Sequence, residues 1–399
     1  MLWFGCVEVK FNRAIALPTA KKLSKPKYRK YIEFTGLCLL AAALLWWFGR
    51  SLNWSEVSTA VRRSNPYLLL GATSIVCLIY VLRSFRWGAL LRPVAPSRFA
   101  DLFAATTIGF GTVFLIGRAG EVVRPVVLPM RDPRVRPSAS VVTIMVERIY
   151  DTVAVVVLFA ANLLWFIPPA SLQKDFTKVR VTGLALLIAT ALGLAALTWY
   201  RKRSALVISC VIGVFERFSF VPQRLVKLFI GTLEQLARAL RVLVNLAELA
   251  ETIGWTLLIW LAIAFANLLI ISAFGVHFGL SETIFVLGWA LAGSLVPTPG
   301  GAAGAFHAAT AAGLLFLGVE RETAAAIAIA MHIIDFGPAV LFGFVYLIRG
   351  DLNFSKLRAL TSSEAVEHVV EDEAFAAEPA STKAQMKTVV NNGEFVEPN

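Results

Sequence analysis

Apolar residues occur in this chain in long continuous runs, without the alternation of half-buried strands. A run of about 20 apolar residues is what an α-helix needs to cross the ~30 Å hydrocarbon core of a bilayer. Strands of a membrane barrel would instead alternate between apolar and polar positions. The pattern predicts an all-α integral membrane protein. We expect a polytopic helical bundle with about six full spans, at residues 31–49, 65–91, 141–166, 181–200, 252–276 and 323–348.

Two further apolar stretches are interrupted by glycine and proline. Residues 99–130 have arginines on both flanks, and residues 281–317 break at Pro297-Thr298-Pro299-Gly300-Gly301. Because Lys and Arg collect in cytoplasmic loops, the first stretch is expected to enter and leave on one side, as a re-entrant hairpin. The second then enters from the opposite side. Broken segments in corresponding places predict an inverted repeat with a site near the midplane; two full spans are the alternative.

Composition agrees with a membrane protein. Hydrophobic residues make up 57% of the 399 residues and charged residues 16%, against about 45–50% and 25% in soluble domains. The positive-inside rule accounts for the net charge of +12, so no nucleic-acid partner is expected. Arg83, Arg86 and Arg92 are interpreted as the cytoplasmic end of the second span. The loop charges predict a multi-pass protein with both termini in the cytoplasm.

Three segments outside the spans differ in character. Residues 1–30 carry eight basic residues, as expected of a cytoplasmic tail that touches anionic lipid. Residues 204–250 contain an apolar stripe with spacings of three and four, which predicts an amphipathic cytoplasmic helix. Residues 350–399 are acidic and poor in aromatics, so disorder is expected. The membrane domain is therefore 31–349, and a protein partner would bind through 204–250 or the acidic tail.

Charged residues at Arg118, Glu121 and Arg124 directly follow an apolar stretch. Spacings of three place them on one face of a helix, although the neighbouring glycines and Pro125 disfavour a long one. Each ionised group at mid-bilayer costs roughly 2.5–3.5 kcal/mol, so the three are expected to face protein or water. The two guanidinium groups can bind a phosphate, and Pro125 can begin a short helix whose N-terminus faces an anion. The alternative is an interfacial loop without a ligand.

A second charged turn, Glu147-Arg148-Ile149-Tyr150-Asp151, lies in the first third of a span. Arg148 and Asp151 can pair at i,i+3. The turn is either a buried ion-pair lock or part of a polar pathway, and the sequence favours neither.

The second broken segment adds free backbone and an imidazole, at Pro299, Gly300, Gly301 and His307. His307 is either a ligand-binding residue or a hydrogen-bonded packing histidine. In the last span His332 and Asp335 stand at i,i+3. They form either a proton-coupling site or, with a slight preference, a local helix pair.

Three motifs together resemble the signatures of the flippase-like family, the transmembrane region of lysylphosphatidylglycerol synthases, which also occurs in free-standing membrane proteins. They are Gly117 to Arg124, Glu147 to Asp151, and Pro297 to Gly301. The resemblance covers roughly residues 35–350. It implies a protein of the bacterial inner membrane that translocates or binds a lipid with a charged head group. The expected partner is an anionic or aminoacylated phospholipid or a polyprenyl-phosphate lipid.

The chain departs from the pattern of that family in two respects. The synthases carry a large soluble aminoacyl-transferring domain, whereas only the polar residues 350–399 follow Arg349 here, so lysyl transfer is not expected. Family members often have a glutamate a few residues after the Pro-Gly-Gly. Here residues 302–307 read Ala-Ala-Gly-Ala-Phe-His, which leaves His307 as a substitute.

The expected function is therefore lipid binding or translocation at the arginine and glutamate face. One alternative is a non-transporting scaffold or accessory of a cell-envelope lipid or glycolipid pathway. A second is a lipid head-group transferase. The sequence contains no metal-type cluster, nucleotide-binding loop or nucleophile pattern, so no enzyme activity, metal or cofactor is expected.

Overall fold

The computed structural model describes residues 27–92, 95–166, 168, 176–217 and 246–349, and all regular structure in these ranges is helical. The helices are α1 Lys27–Gly49, α2 Trp54–Arg63, α3 Pro66–Leu91, α4 Phe99–Ile116, α5 Val123–Arg131, α6 Pro137–Trp165, α7 Phe176–Arg217, α8 Leu246–Ala273, α9 Leu280–Gly293, α10 Ala305–Phe316 and α11 Arg321–Arg349. A 3₁₀ turn at Gly117–Val122 joins α4 to α5, and a single turn at Pro299–Ala302 precedes α10. The predicted all-α polytopic fold is confirmed.

The described helices that can cross a membrane by length and apolar composition number four: Pro66–Leu91, Phe99–Ile116, Ala247–Ala273 and Arg321–Arg349. A fifth is reached if α1 and α2, which meet at a bend of 84°, form one broken span. This is fewer than the six spans expected. The helices α6 and α7 are also long enough and are not among these candidates; α6 contains the charged turn 147–151, and α7 is kinked at Arg203.

Helices α3 and α8 pack side by side in opposite directions. The backbone N–H of Asn65, before α3, donates to the carbonyl of Ala273 at the end of α8, at 2.8 Å. At the other end Arg92 donates two hydrogen bonds to Glu251, at 3.0 and 3.2 Å. The apolar residues between these ends form a shared core, including Val76, Ile79, Ile259 and Ala266.

The first hairpin consists of α4, the 3₁₀ turn and α5. Asp101 in the first turn of α4 pairs with Arg131 in the last turn of α5, at 3.0 Å. At the tip, Gly120 lies so close to α4 that a Cβ there would stand 2.5 Å from the carbonyl carbon of Thr112. Pro125 falls in the first turn of α5, where its missing N–H costs no helical hydrogen bond. Both ends of this hairpin therefore lie together at one end of the bundle, and a re-entrant path through the membrane stays a prediction.

The second hairpin consists of α9, the turn at Pro299–Ala302 and α10. Near its tip a Cβ on Gly293 would stand 2.6 Å from the carbonyl oxygen of Ala305. Near its open end the rings of Phe285 and Phe316 lie 5.2 Å apart. This segment also turns back on itself, as the sequence predicted.

The long helix α11 shows that the two hairpins enter from opposite ends. The ring of Phe103, near the open end of the first hairpin, lies 5.6 Å from that of Phe342. At the other end of α11, Ala324 and Ile327 pack with Leu314 of the second hairpin. Each hairpin follows one of the antiparallel helices α3 and α8. The described chain thus contains two hairpins that enter from opposite ends of α11, and the inverted repeat stays a prediction.

Several predicted segments lie outside the described residues. These are most of the basic segment 1–30, positions 218–245 of the predicted amphipathic helix, and the acidic tail 350–399. The polar residues between α1 and α3 are described and include α2, whose buried Val57 packs on Ala325 and Ala326 of α11.

Candidate functional site

Glu147 of α6 is fully buried and is surrounded by three arginines. Arg124 of α5 donates two hydrogen bonds to its carboxylate, at 2.6 and 3.0 Å. Arg86 of α3 approaches Glu147 Oε1 at 3.2 Å, and Arg148 donates to the same oxygen at 3.1 Å. The carboxylate therefore joins α3, α5 and α6 at one point.

Asp151, one turn further along α6, is paired mainly by Arg86. Arg86 donates two hydrogen bonds to it, at 2.6 and 3.0 Å, and a third to Thr256 of α8, at 3.2 Å. Arg83 and Arg148 each stand 3.7 Å from the same oxygen, Asp151 Oδ2. That is an ionic contact that is too long for a hydrogen bond.

Two aromatic rings pack against this cluster. The guanidinium carbon of Arg124 lies 4.1 Å from the ring centroid of Trp87. The guanidinium carbon of Arg83 lies 4.8 Å from the centroid of Phe110, and those of Arg124 and Arg148 lie 5.9 Å from it. Each cation–π contact is worth about 0.5–2 kcal/mol. The two rings therefore stabilise the guanidinium groups, which aliphatic side chains in the same places would not do.

Four arginines and two carboxylates lie within ion-pair distance of one another in this cluster. Within the described chain, Arg83, Arg86, Arg124 and Arg148 share the two carboxylates of Glu147 and Asp151. The side chains of Arg86 and Arg124 are 0% and 5% exposed, whereas those of Arg83 and Arg148 are 12% and 39% exposed. The two carboxylates are thus matched by the two buried arginines, and Arg83 and Arg148 contact Asp151 only at 3.7 Å.

A cavity of about 160 Å³ begins at Arg83. Tyr80 and Phe110 line it near the arginine, and Asp335 and Phe336 of α11 line it on the other side. The Tyr80 hydroxyl donates to the backbone carbonyl of Asp335 at 2.7 Å. The cavity therefore connects the arginine cluster with the middle of α11.

The two hairpin tips meet beside this cavity. Gly117 has a φ of +71°, and a Cβ on it would stand 3.0 Å from the carbonyl oxygen of Thr298. The second tip runs through three consecutive residues with positive φ: Gly300 at +76°, Gly301 at +63° and Ala302 at +65°. Left-handed backbone of this kind is costly for Ala302, and the packing at the tip offsets that cost.

A group of aromatic and histidine rings surrounds the second tip. His332 of α11 hydrogen-bonds through Nε2 to the carbonyl of Gly301, at 3.1 Å. His307 accepts at Nδ1 from the backbone N–H of Gly304, at 3.3 Å. The two imidazole centroids are 4.6 Å apart, and the ring of Phe114 from the first hairpin lies 5.5 Å from His332.

The predicted site residues divide into two groups. Arg124, Glu147, Arg148 and Asp151 come together in the arginine cluster. The histidines and the Pro-Gly-Gly backbone of 299–301 form the second group, at the hairpin tips.

Glu121 and Arg124 do not share a helix face, because the first lies in the 3₁₀ turn and the second in α5. Glu121 is exposed at the hairpin tip, while Arg124 is buried against Glu147. The side chain of Arg118 is outside the described set. His332 and Asp335 do not form a local pair among the described contacts, because His332 bonds to Gly301 and Asp335 faces the cavity of Arg83.

Arg83 and Arg86 were misinterpreted as markers of a cytoplasmic helix end. They lie within the bundle, and Arg86 is fully buried. The sequence did contain a signal for these two site residues, because both arginines lie within an apolar run. Ionisable residues inside a span usually face the bundle interior and are candidates for a functional site. Trp87 and Phe110 carried no sequence signal, because aromatic residues are common in apolar helices.

Among the described residues, one group of carboxylates has the spacing of a metal site: Glu56, Glu320 and Glu322. These residues lie at the other end of the bundle from the arginine cluster, and exposed acidic groups are common without a metal.

An all-helical bundle with two opposed hairpins and a buried charged cluster defines a polytopic integral membrane protein. The profile of one family, described as the lysylphosphatidylglycerol synthase TM region, matches residues 35–343, and the chain belongs to this family. The match confirms the resemblance carried by the three sequence motifs. A search of curated proteins finds no match.

Proposed function

We propose that this protein binds the charged head group of a membrane lipid and moves the lipid between the two leaflets. Arg83 and Arg148 contact the head group in this proposal. The observation that carries it is that Arg124 and Arg86 already pair with Glu147 and Asp151, which leaves N–H donors of Arg83 and Arg148 free for a ligand.

The electrostatic argument favours an anionic group. An ionised side chain at mid-bilayer costs roughly 2.5–3.5 kcal/mol, so guanidinium groups with free N–H donors in such a place favour an anionic partner. Arg83 Nη1 is buried and has no hydrogen-bond partner among the described residues. Arg148 uses one N–H on Glu147 and retains the others. A phosphate between the two accepts charge-assisted hydrogen bonds that Asp151, at 3.7 Å, does not take.

The surroundings favour a lipid over a soluble anion. An apolar groove of about 360 Å³ on the surface of α11 is lined by Phe114, Ile333, Gly337, Val340, Leu341 and Phe344. The groove lies beside the tip of the first hairpin, and its apolar side chains can surround an acyl chain there. The cavity and the hairpin tips provide polar backbone at the depth that a head group has to cross.

The test is lipid movement in liposomes that contain the purified protein. The variant Arg83→Gln/Arg148→Gln removes these two guanidinium groups and leaves Glu147 and Asp151 paired. The control Arg62→Gln/Arg63→Gln removes the same charge from the exposed end of α2. We expect head-group-selective movement in wild type and control, and at least a ~10-fold loss in the variant, as for one lost charge-assisted contact. Equal movement in all three proteins contradicts the proposal.

Lipid binding is measured in parallel, so that binding and translocation are tested independently. Selective binding of an anionic lipid without movement removes translocation and favours the scaffold or accessory function. Arg124→Ala is a poor probe, because it leaves Glu147 without its two shortest hydrogen bonds and tests folding instead.

A further inference from the structure

A second charged groove lies away from the arginine cluster, where the end of α1 meets α10 and the start of α11. Its volume is about 350 Å³. The floor is apolar and the mouth carries two arginines, Arg50 and Arg321. The groove is separate from the cavity at Arg83, and the two have no lining residue in common.

Neither arginine at this mouth has an acidic partner within the part of the chain that the structure describes. The guanidinium of Arg50 lies 4.9 Å from the ring centroid of Trp46. Arg321 donates to the hydroxyl of Ser51. The neighbours Glu320 and Glu322 converge instead on Glu56, away from the groove. Both guanidinium groups are exposed and keep free N–H donors.

The floor of the groove has the shape of a channel. Ala308, Ala312 and Leu315 stand at i, i+4 and i+7, so they share one face of α10. Two small residues in this row leave a depression on the helix surface. Phe48 closes the inner end and stacks on His307 at 5.8 Å.

The residues beside the mouth are typical of the head-group level of a membrane. Trp46 and Trp47 next to it are 65% and 56% exposed, as in the aromatic belts found at membrane interfaces. Cationic donors at that level with an apolar channel beneath them complement a molecule with an anionic head and an apolar tail.

We propose that this groove binds one anionic phospholipid, with its phosphate on Arg50 and Arg321 and an acyl chain along Ala308, Ala312 and Leu315. The site lies at the end of the bundle opposite the arginine-rich loop 131–136. It therefore binds lipid of the other leaflet, and it does so whether or not the protein moves lipid through the central cluster.

The test is lipid retention in nanodiscs of phosphatidylcholine with a minor fraction of phosphatidylglycerol, measured by native mass spectrometry. Arg50→Gln/Arg321→Gln is compared with Arg62→Gln/Arg63→Gln, which removes the same charge from exposed positions on α2. We expect wild type and control to retain phosphatidylglycerol selectively, and the groove variant to lose about 10-fold or more of that preference. Equal retention in both variants overturns the proposal, as does retention of the two lipids without preference in wild type.

Two further arms separate the lipid from a free phosphate. Ala312→Phe fills the channel and leaves both arginines in place, so it should displace phosphatidylglycerol. Soluble glycerol phosphate in excess should not compete if the acyl chain contributes. Full competition by glycerol phosphate, with retention unchanged in Ala312→Phe, would overturn the lipid assignment in favour of a phosphate site. Each variant is first shown to keep the thermal unfolding midpoint of wild type.

Discussion

Gly109 of α4 lies against Arg124 of α5 so closely that a Cβ on the glycine would stand 2.8 Å from the Cβ of the arginine. The absence of a side chain at position 109 lets the limbs of the first hairpin approach each other. That approach brings Arg124 to Glu147, which belongs to a different helix. The charged cluster therefore depends on a glycine with no polar group of its own.

We predict that Gly109→Ala displaces Arg124 and lowers the free energy of unfolding by about 1–3 kcal/mol, as other overpacked sites do. Thermal unfolding in detergent measures this. Gly254→Ala is the control, because nothing lies within 4 Å of a Cβ at Gly254 in α8. The alanine at 254 should be neutral or stabilising through helix propensity. Equal midpoints for the two variants would show that the hairpin limbs tolerate the extra methyl group.

The pair of Arg124 and Glu147 should be strongly coupled. Glu147→Gln alone leaves buried arginines without their acceptor and should cost about 3–5 kcal/mol. The double variant Arg124→Gln/Glu147→Gln should cost about 1–3 kcal/mol less than the sum of the single variants. The exposed pair of Arg92 and Glu251, whose side chains are 63% and 34% exposed, is the matched comparison. Its coupling should stay below about 1 kcal/mol, and comparable values for both pairs would argue against a desolvated cluster.

Cysteine labelling tests the direction of the first hairpin. Arg98 and Arg136 are both exposed, one before α4 and the other after α5. In a background without native cysteines, Arg98→Cys and Arg136→Cys should react with an impermeant reagent from the same side of oriented vesicles. Glu320→Cys, before α11, should react from the other side. Labelling of positions 98 and 136 from opposite sides would mean that the segment crosses the membrane.

The left-handed tip of the second hairpin should be sensitive at Gly301. A Cβ there combines a φ of +63° with a contact of 3.0 Å to His332 Nε2. Gly318 has a φ of +83° and nothing within 4 Å, so Gly318→Ala isolates the cost of the backbone conformation. We expect about 1–2 kcal/mol for Gly318→Ala and more for Gly301→Ala, from thermal unfolding midpoints. If the two variants lose the same stability, the crowding at His332 has no cost.

Asp132 in the loop after α5 should give the protein an acid-dependent stability. The guanidinium of Arg134 hydrogen-bonds the carboxylate at 2.9 Å and lowers the pKa of Asp132 from 3.8 to about 2. A lowered pKa favours the ionised form in the folded state, so the stabilisation is complete above 3.8 and is lost as the pH falls through about 2. Because the Arg134 side chain is 63% exposed, water screens the pair and the effect should be small.

The measurement is the unfolding midpoint against pH, for wild type and Asp132→Asn. The wild type should lose more stability between about pH 5 and pH 2 than the variant. High salt should reduce the difference, since the partner is exposed to solvent. Parallel curves for the two proteins would contradict the role of Asp132.

The two hairpins show which parts of the fold could be predicted from the sequence. Glycine and proline at 117–125 and 297–301, on apolar backgrounds, predicted that each segment turns back. The charged residues at 147–151 were also recognised, since charge inside an apolar run stands out. Sequence could not assign their partners, because Arg86 and Arg124 reach them from helices that are distant in the chain.

The sequence by itself determined that this protein lies in a membrane and that its secondary structure is helical. Long apolar runs of this kind are stable as helices in a bilayer. It also identified the family through three motifs. Only the tertiary structure decided which arginines pair with the two buried carboxylates and which keep free donors. It also separated the histidine group from the arginine cluster. Both outcomes depend on distances of a few ångströms between helices, and those distances are set by packing at positions such as Gly109 that carry no chemistry of their own.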